Sequence, residues 1–203
     1  RAIAMLVRHA LETPEKRVAL VSPDRELAVR VAAQLRRWDI LVDDSAGRPL
    51  LQTPPATLLL SLADLIADDF GPVSLLAALK HPLVMPGEAR LDWLENVRKL
   101  DLKLRGPRIG IGLSAIYDAI LAQTKEGPER DELRDWWSGV ASRLVSLSDG
   151  AATKLQSRLE MLASIATELS GGAMWKGEAG RQLARALETL NEQDLSSLDD
   201  VDD

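Results

Sequence analysis

Carboxylates beside cations are the first chemistry to look for in this chain, since metal-assisted phosphodiester cleavage needs acids converging on a divalent ion with a lysine nearby. Asp101-Leu102-Lys103 has that spacing, and Asp43-Asp44 and Asp68-Asp69 supply paired acids. Asp101 and Lys103 fall on the outer part of an amphipathic helical pattern, where alternating charge reads as solvated surface. The two aspartate pairs read as a strand end and a helix end. Dinucleotide binding is a second chemistry, with Asp43 or Asp44 in the place of the acid that takes a ribose hydroxyl. The turn that would face the pyrophosphate reads Ser22-Pro23-Asp24-Arg25-Glu26, without glycines and with acids where phosphates would lie. The glycine-rich run from Gly106 to Gly112 has no lysine followed by Ser or Thr, so it reads as a connector rather than a phosphate loop. With only His9 and His81 and no cysteine, neither a multi-histidine metal centre nor a thiolate site is available. The expectation is no catalytic set, no metal and no cofactor in this segment.

Binding chemistry remains. Arg90, Arg98, Lys99, Lys103, Arg105 and Arg108 face Glu88, Asp92, Glu95 and Asp101 in the most basic stretch of the chain, and phosphate contacts need such residues. The plainer reading pairs Glu95 with Lys99 and Asp101 with Arg105 at i,i+4 on a solvated face. Trp136 and Trp137 are adjacent, so one faces a core and the other its border. Trp136 is therefore the candidate for stacking on a base or anchoring a partner, with half-buried packing as the simpler alternative.

The elements that must position these residues fall into two sorts. The spacing of Ile3, Leu6, Val7, Ala10 and Leu11 predicts a helix ended by Pro14. Residues 18–21 and 40–42 are short apolar runs read as strands, and between them Leu27, Val31 and Leu35 mark a helix with Ser22 and Pro23 as N-cap and first residue. Strand, helix, strand implies a parallel pair with a right-handed crossover. From Gly47 onward the period is helical. Apolar stripes run through Leu58, Leu62, Leu65 and Ile66, through Val73, Leu76 and Leu79, and through Trp93, Val97, Leu100 and Leu104. Leu133, Trp137, Val140, Leu144 and Leu147 step by four and three as a bundle seam does. Leu155, Leu159, Leu162, Ala166 and Leu169 follow, then Ala179, Leu183, Leu187 and Leu190. The expected fold is mainly α with a small N-terminal α/β part, a short parallel β-α-β pair followed by a helical array. The expected division is 1–45, an α/β segment; 46–190, helices; and 191–203, an acidic tail or linker.

Composition bounds what this assembly is for. The chain has 203 residues, 46% of them hydrophobic, enough to build a real core. The net charge of −6 sits entirely in the tail, which carries Glu192, Asp194, Asp199, Asp200, Asp202 and Asp203 without a base. The body before it is neutral, so the acidity does not exclude a basic face. No apolar stretch approaches the roughly 20 residues of a membrane-spanning helix, and the N-terminus shows no signal core. The expectation is a cytoplasmic protein without membrane contact. A start at Arg1 and the charged end suggest a segment of something longer.

The residues 17–50, RVALVSPDRELAVRVAAQLRRWDILVDDSAGRPL, followed by QTPPATLLLSLADLI at 52–66 and LLAALKHPL at 75–83, resemble the AddB family of double-strand break repair proteins in its alphaproteobacterial form. WLENVRKLDLKLRGPR at 93–108 and WKGEAGRQLARALETL at 175–190 are similar to the same family. The resemblance implies an internal piece of a subunit of the AddAB helicase-nuclease, acting in recombination with an AddA-like partner. More distantly, the element order resembles the second motor domain of UvrD-type helicases, which implies that 1–45 is an edge of a RecA-like fold and 46–190 its helical insertion near duplex DNA. The family's nuclease site and iron-sulfur cysteines have no counterpart here, and no Walker motif occurs. None of the family's catalytic or cluster residues therefore maps onto this chain.

Three functions follow as expectations. The first is a non-catalytic scaffold that touches DNA through Arg98, Lys99, Lys103, Arg105 and Arg108. The second is a pure protein-interaction module, using a surface near Trp136, that never meets DNA. The third is a small α/β enzyme using Asp43 or Asp44.

Overall fold

The computed structural model describes residues 1–45, 47, 49–105, 109–148 and 154–192. Among them are nine α-helices: α1 (Ala2–Leu11), α2 (Arg25–Arg36), α3 (Pro54–Ala67), α4 (Pro72–Lys80), α5 (Arg90–Leu104), α6 (Leu113–Gln123), α7 (Pro128–Ser148), α8 (Leu155–Ser170) and α9 (Gly177–Glu192). Short 3-10 turns at Leu50–Gln52 and Ala173–Trp175 precede α3 and α9. The chain divides into two units, Arg1–Gly47 and Arg48–Asp203. The expected acidic tail lies outside the described residues from 193 onward.

The parallel strand pair does not form, and the N-terminal unit is helical rather than α/β. Residues 18–21 and 40–42 adopt neither strand nor helix, and no strand occurs among the described residues. The physical reason lies in what a strand needs. Parallel ladders are stable when covered on both faces, and an isolated two-stranded pair is marginal in water. Here Val21 is 93% and Leu41 85% exposed, so the apolar runs have no layer to bury against. What does form is a two-helix contact, with Ala4 of α1 against Val31 and Leu35 of α2, flanked by Ile3, Val7, Leu27, Trp38 and Ile40. Asp24, rather than Ser22, caps α2, its carboxylate accepting the Leu27 N–H at 3.0 Å. The Arg25 guanidinium holds the Asp44 carboxylate and the Gly47 carbonyl, fixing the end of the unit.

The second unit closes around one core. Leu58, Leu62 and Leu65 of α3, Val97 and Leu100 of α5, and Leu133, Trp137, Val140, Leu144 and Leu147 of α7 are buried in it together. Helices satisfy their own backbone, so each needs only an apolar stripe and a neighbour. On α4 the inward residues are Leu75, Ala78 and Leu79, and Val73 is exposed, contrary to the expected stripe. Close approach decides one glycine: a Cβ on Gly180 would sit 2.6 Å from the Met174 carbonyl oxygen, so α9 rests directly on the Ala173–Trp175 turn.

Candidate nucleic-acid interface

The basic stretch folds into α5, and the helix sorts its charges by face. Trp93, Val97, Leu100 and Leu104 anchor one stripe in the core. Three and four residues share a face, so Leu91, Glu95, Arg98, Leu102 and Arg105 form the opposite, exposed stripe, with Lys99 and Lys103 half-buried along one flank.

Each cation then has a different neighbourhood. Asp101 receives hydrogen bonds from Arg105 Nε at 2.9 Å and from Lys80 Nζ of α4 at 2.8 Å. These two donors, Arg105 first, hold its carboxyl well below the ordinary range, at about 2. In turn the carboxylate raises the Arg105 pKa. Lys99 lies 3.7 Å from Glu95, a loose surface pair. Arg98 and Lys103 enter no ion pair among the described residues. Arg90 is directed elsewhere, giving its guanidinium to the Val84 and Lys80 carbonyls at the end of α4. Arg108 lies outside the described residues. The structure thus brings Arg98, Lys99 and Lys103 onto one helix with Arg105 as its C-cap, and among the described residues Arg98 and Lys103 are unclaimed by carboxylates.

Trp136, the candidate partner anchor, is half-buried. Its ring meets Trp93 edge-on, with centroids 5.2 Å apart and planes at 63°. Trp93 is itself fixed by donation from Nε1 to the Leu79 carbonyl at 2.9 Å. Trp137 is the neighbour that fills the core.

Three of the five acids singled out for chemistry, Asp44, Asp68 and Asp101, are occupied locally. Asp44 is held by Arg25, and Asp101 by Lys80 and Arg105. Asp68 accepts from the Ser74 hydroxyl. Among the described residues no group of three or more histidines or acids is placed to hold a metal ion. His9 is exposed and bonded to Glu12, while His81 closes the C-terminus of α4. A helix C-terminus favours a charged imidazole, yet burial and the nearby Arg90 charge instead lower the His81 pKa.

Two features escaped sequence reasoning. The Lys80–Asp101 bond joins two helices across 21 positions, beyond the reach of any i,i+4 rule. A groove of about 490 Å³ in the first unit, lined by Val7, Leu11, Val18, Val21, Leu41 and Val42 among others, occupies the place where a sheet was expected. The signal for it was present in the apolar runs themselves. Among the described residues no helix is long and apolar enough to cross a membrane. No family model, curated protein or solved structure matches the chain.

Proposed function

We propose that this chain is a non-catalytic helical segment of an AddB-like helicase-nuclease subunit, binding DNA and its AddA-like partner during double-strand break repair in the cytoplasm. The observation that carries the DNA-binding part is the state of the α5 cations. Among the described residues no carboxylate pairs with Arg98 or Lys103, on a helix whose opposite stripe is locked in the core. Between them the helix rises about 7.5 Å and turns by about 140°, so Arg98 on the exposed stripe and Lys103 on its flank reach separate phosphates. A rigid helix presenting cations at that interval suits backbone contacts, which position a protein without reading sequence. The proposal names no cofactor and no catalytic residue in the segment.

Fluorescence anisotropy of the chain with a forked DNA across a salt series tests this. Binding whose log affinity falls linearly with log salt, and which is lost in the Arg98→Ala/Lys99→Ala/Lys103→Ala variant, is the expected result. No binding at low salt would remove DNA contact from the segment.

A specific observation favours the second reading, a partner-binding scaffold without DNA contact. The groove in the first unit is lined by apolar side chains that remain exposed, Val18, Val21, Leu41 and Val42 among them, which a partner's apolar side chains could cover. The enzyme reading loses its premise, since the strand pair that would aim Asp43 and Asp44 at a ligand is absent among the described residues.

A further inference from the structure

His81 is the buried histidine of the pair, 9% exposed, at the junction of α3, α4 and the connector that leads to α5. Both ring nitrogens are engaged. The Leu83 backbone N–H lies 3.3 Å from Nδ1, and Nε2 lies 3.0 Å from Thr57 Oγ1 on α3. A backbone N–H can only donate, so Nδ1 must accept and carries no proton. The ring proton therefore sits on Nε2 and is donated to the Thr57 hydroxyl. That hydroxyl in turn donates to the Pro54 carbonyl at 3.0 Å. Every donor in this relay meets an acceptor only while the ring is neutral.

A second proton has one place to go. On Nδ1 it would face the Leu83 N–H, donor against donor, in a site with little water to solvate the new charge. Of the charged groups packed around the ring, Arg90 of α5 acts on it, and repulsively. The α3 side presents the uncharged Thr57, and Lys80, the preceding residue, is spent on Asp101. Burial first and Arg90 second hold the imidazole below its ordinary pKa.

The ties that follow His81 give its protonation a structural consequence. The Val84 N–H donates to the His81 carbonyl at 3.0 Å, and the Met85 N–H donates to the Leu169 carbonyl of α8 at 2.8 Å. Arg90 bonds the Val84 and Lys80 carbonyls. The ring thus ties Leu83 to α3, and the backbone of the next two residues, Val84 and Met85, is fastened to α5 and α8 directly beside that tie. We propose that His81 is a proton-operated latch: neutral, it pins the α4–α5 connector to α3; protonated, it releases Leu83 and the bonds running through Val84 and Met85. The sign is set by linkage. In the window between the lowered native pKa and the unfolded imidazole value of about 6.5, the unfolded chain binds more protons. Stability is full above that window and declines as pH falls through it.

Nitrogen NMR of the imidazoles and amide exchange, measured on the full chain from about pH 7.5 to about pH 5.5 across the ordinary imidazole value, test the latch. The expected result is an Nε2–H tautomer at neutral pH, with protection at Leu83, Val84 and Met85 lost in step with ring protonation while Val140 and Leu144 of α7 keep theirs. His81→Gln, which retains a donor toward Thr57 and does not titrate, removes the step, and His9→Gln leaves it in place. If His81→Gln fails to fold, titration of the unmodified chain decides alone. An Nδ1–H tautomer, a ring that titrates with no change at Leu83 to Met85, or the same step in folded His81→Gln would overturn the proposal.

Discussion

The two units use similar apolar sequence to opposite ends. In the second, Leu58, Leu62 and Leu65 of α3 are fully buried. In the first, Val21 and Leu41 belong to equally apolar runs and lie almost wholly in solvent. The difference is one of backbone as much as of side chains. A helix completes its own hydrogen bonds and asks its surroundings only for a hydrophobic face, whereas a strand asks for both a neighbour's backbone and a covering layer. The second unit carries a large core, and the first has a small one and leaves Val21 and Leu41 in solvent.

That contrast breaks first at Trp137. Its ring is 1% exposed at the centre of the α7 seam, so Trp137→Ala should lower stability by about 3–5 kcal/mol, measured by denaturant unfolding followed by helical circular dichroism. Gly180→Ala comes next. The added methyl would press on the Met174 and Trp175 backbone, and about 1–3 kcal/mol should be lost. Asp101→Asn removes the carboxylate shared by Lys80 and Arg105; discounted for solvent, the loss is about 1 kcal/mol. With the Asp101 carboxyl at about 2, its contribution is present above the ordinary aspartate value and fades as pH falls through about 2. The same variant frees two cations, so it should steepen the salt dependence of DNA binding. In the first unit, Val21→Ser with Leu41→Ser should change stability by less than about 0.5 kcal/mol. A large loss there would mean that these runs are buried after all.

How much of this was legible in sequence follows the same division. The α5 and α7 stripes could be read residue by residue, because a 3.6 period with an apolar face specifies helix and inward side at once. Val73 was misplaced because α4 has apolar residues on several sides, and only the position of α3 selects Leu75 over it. The strand reading of 18–21 and 40–42 failed because an apolar run states a preference for burial without supplying the layer that buries it. For the site, the residue types on α5 were visible, and so were the i,i+4 partners Glu95 and Asp101. Which cations stay free was not, since that depends on Lys80 arriving from α4 and on Arg90 turning to the Val84 carbonyl.

Lys103 and Arg105 differ by two positions and carry the same charge, but only Arg105 is bound by Asp101. Replacing each with alanine and measuring forked-DNA affinity across a salt series therefore tests the α5 interface most directly. The account predicts that Lys103→Ala lowers the slope of log affinity against log salt by about 0.9, the value of one phosphate contact, while Arg105→Ala leaves it nearly unchanged. Equal slopes for the two variants and the unmodified chain, or no binding by any of them, would contradict it.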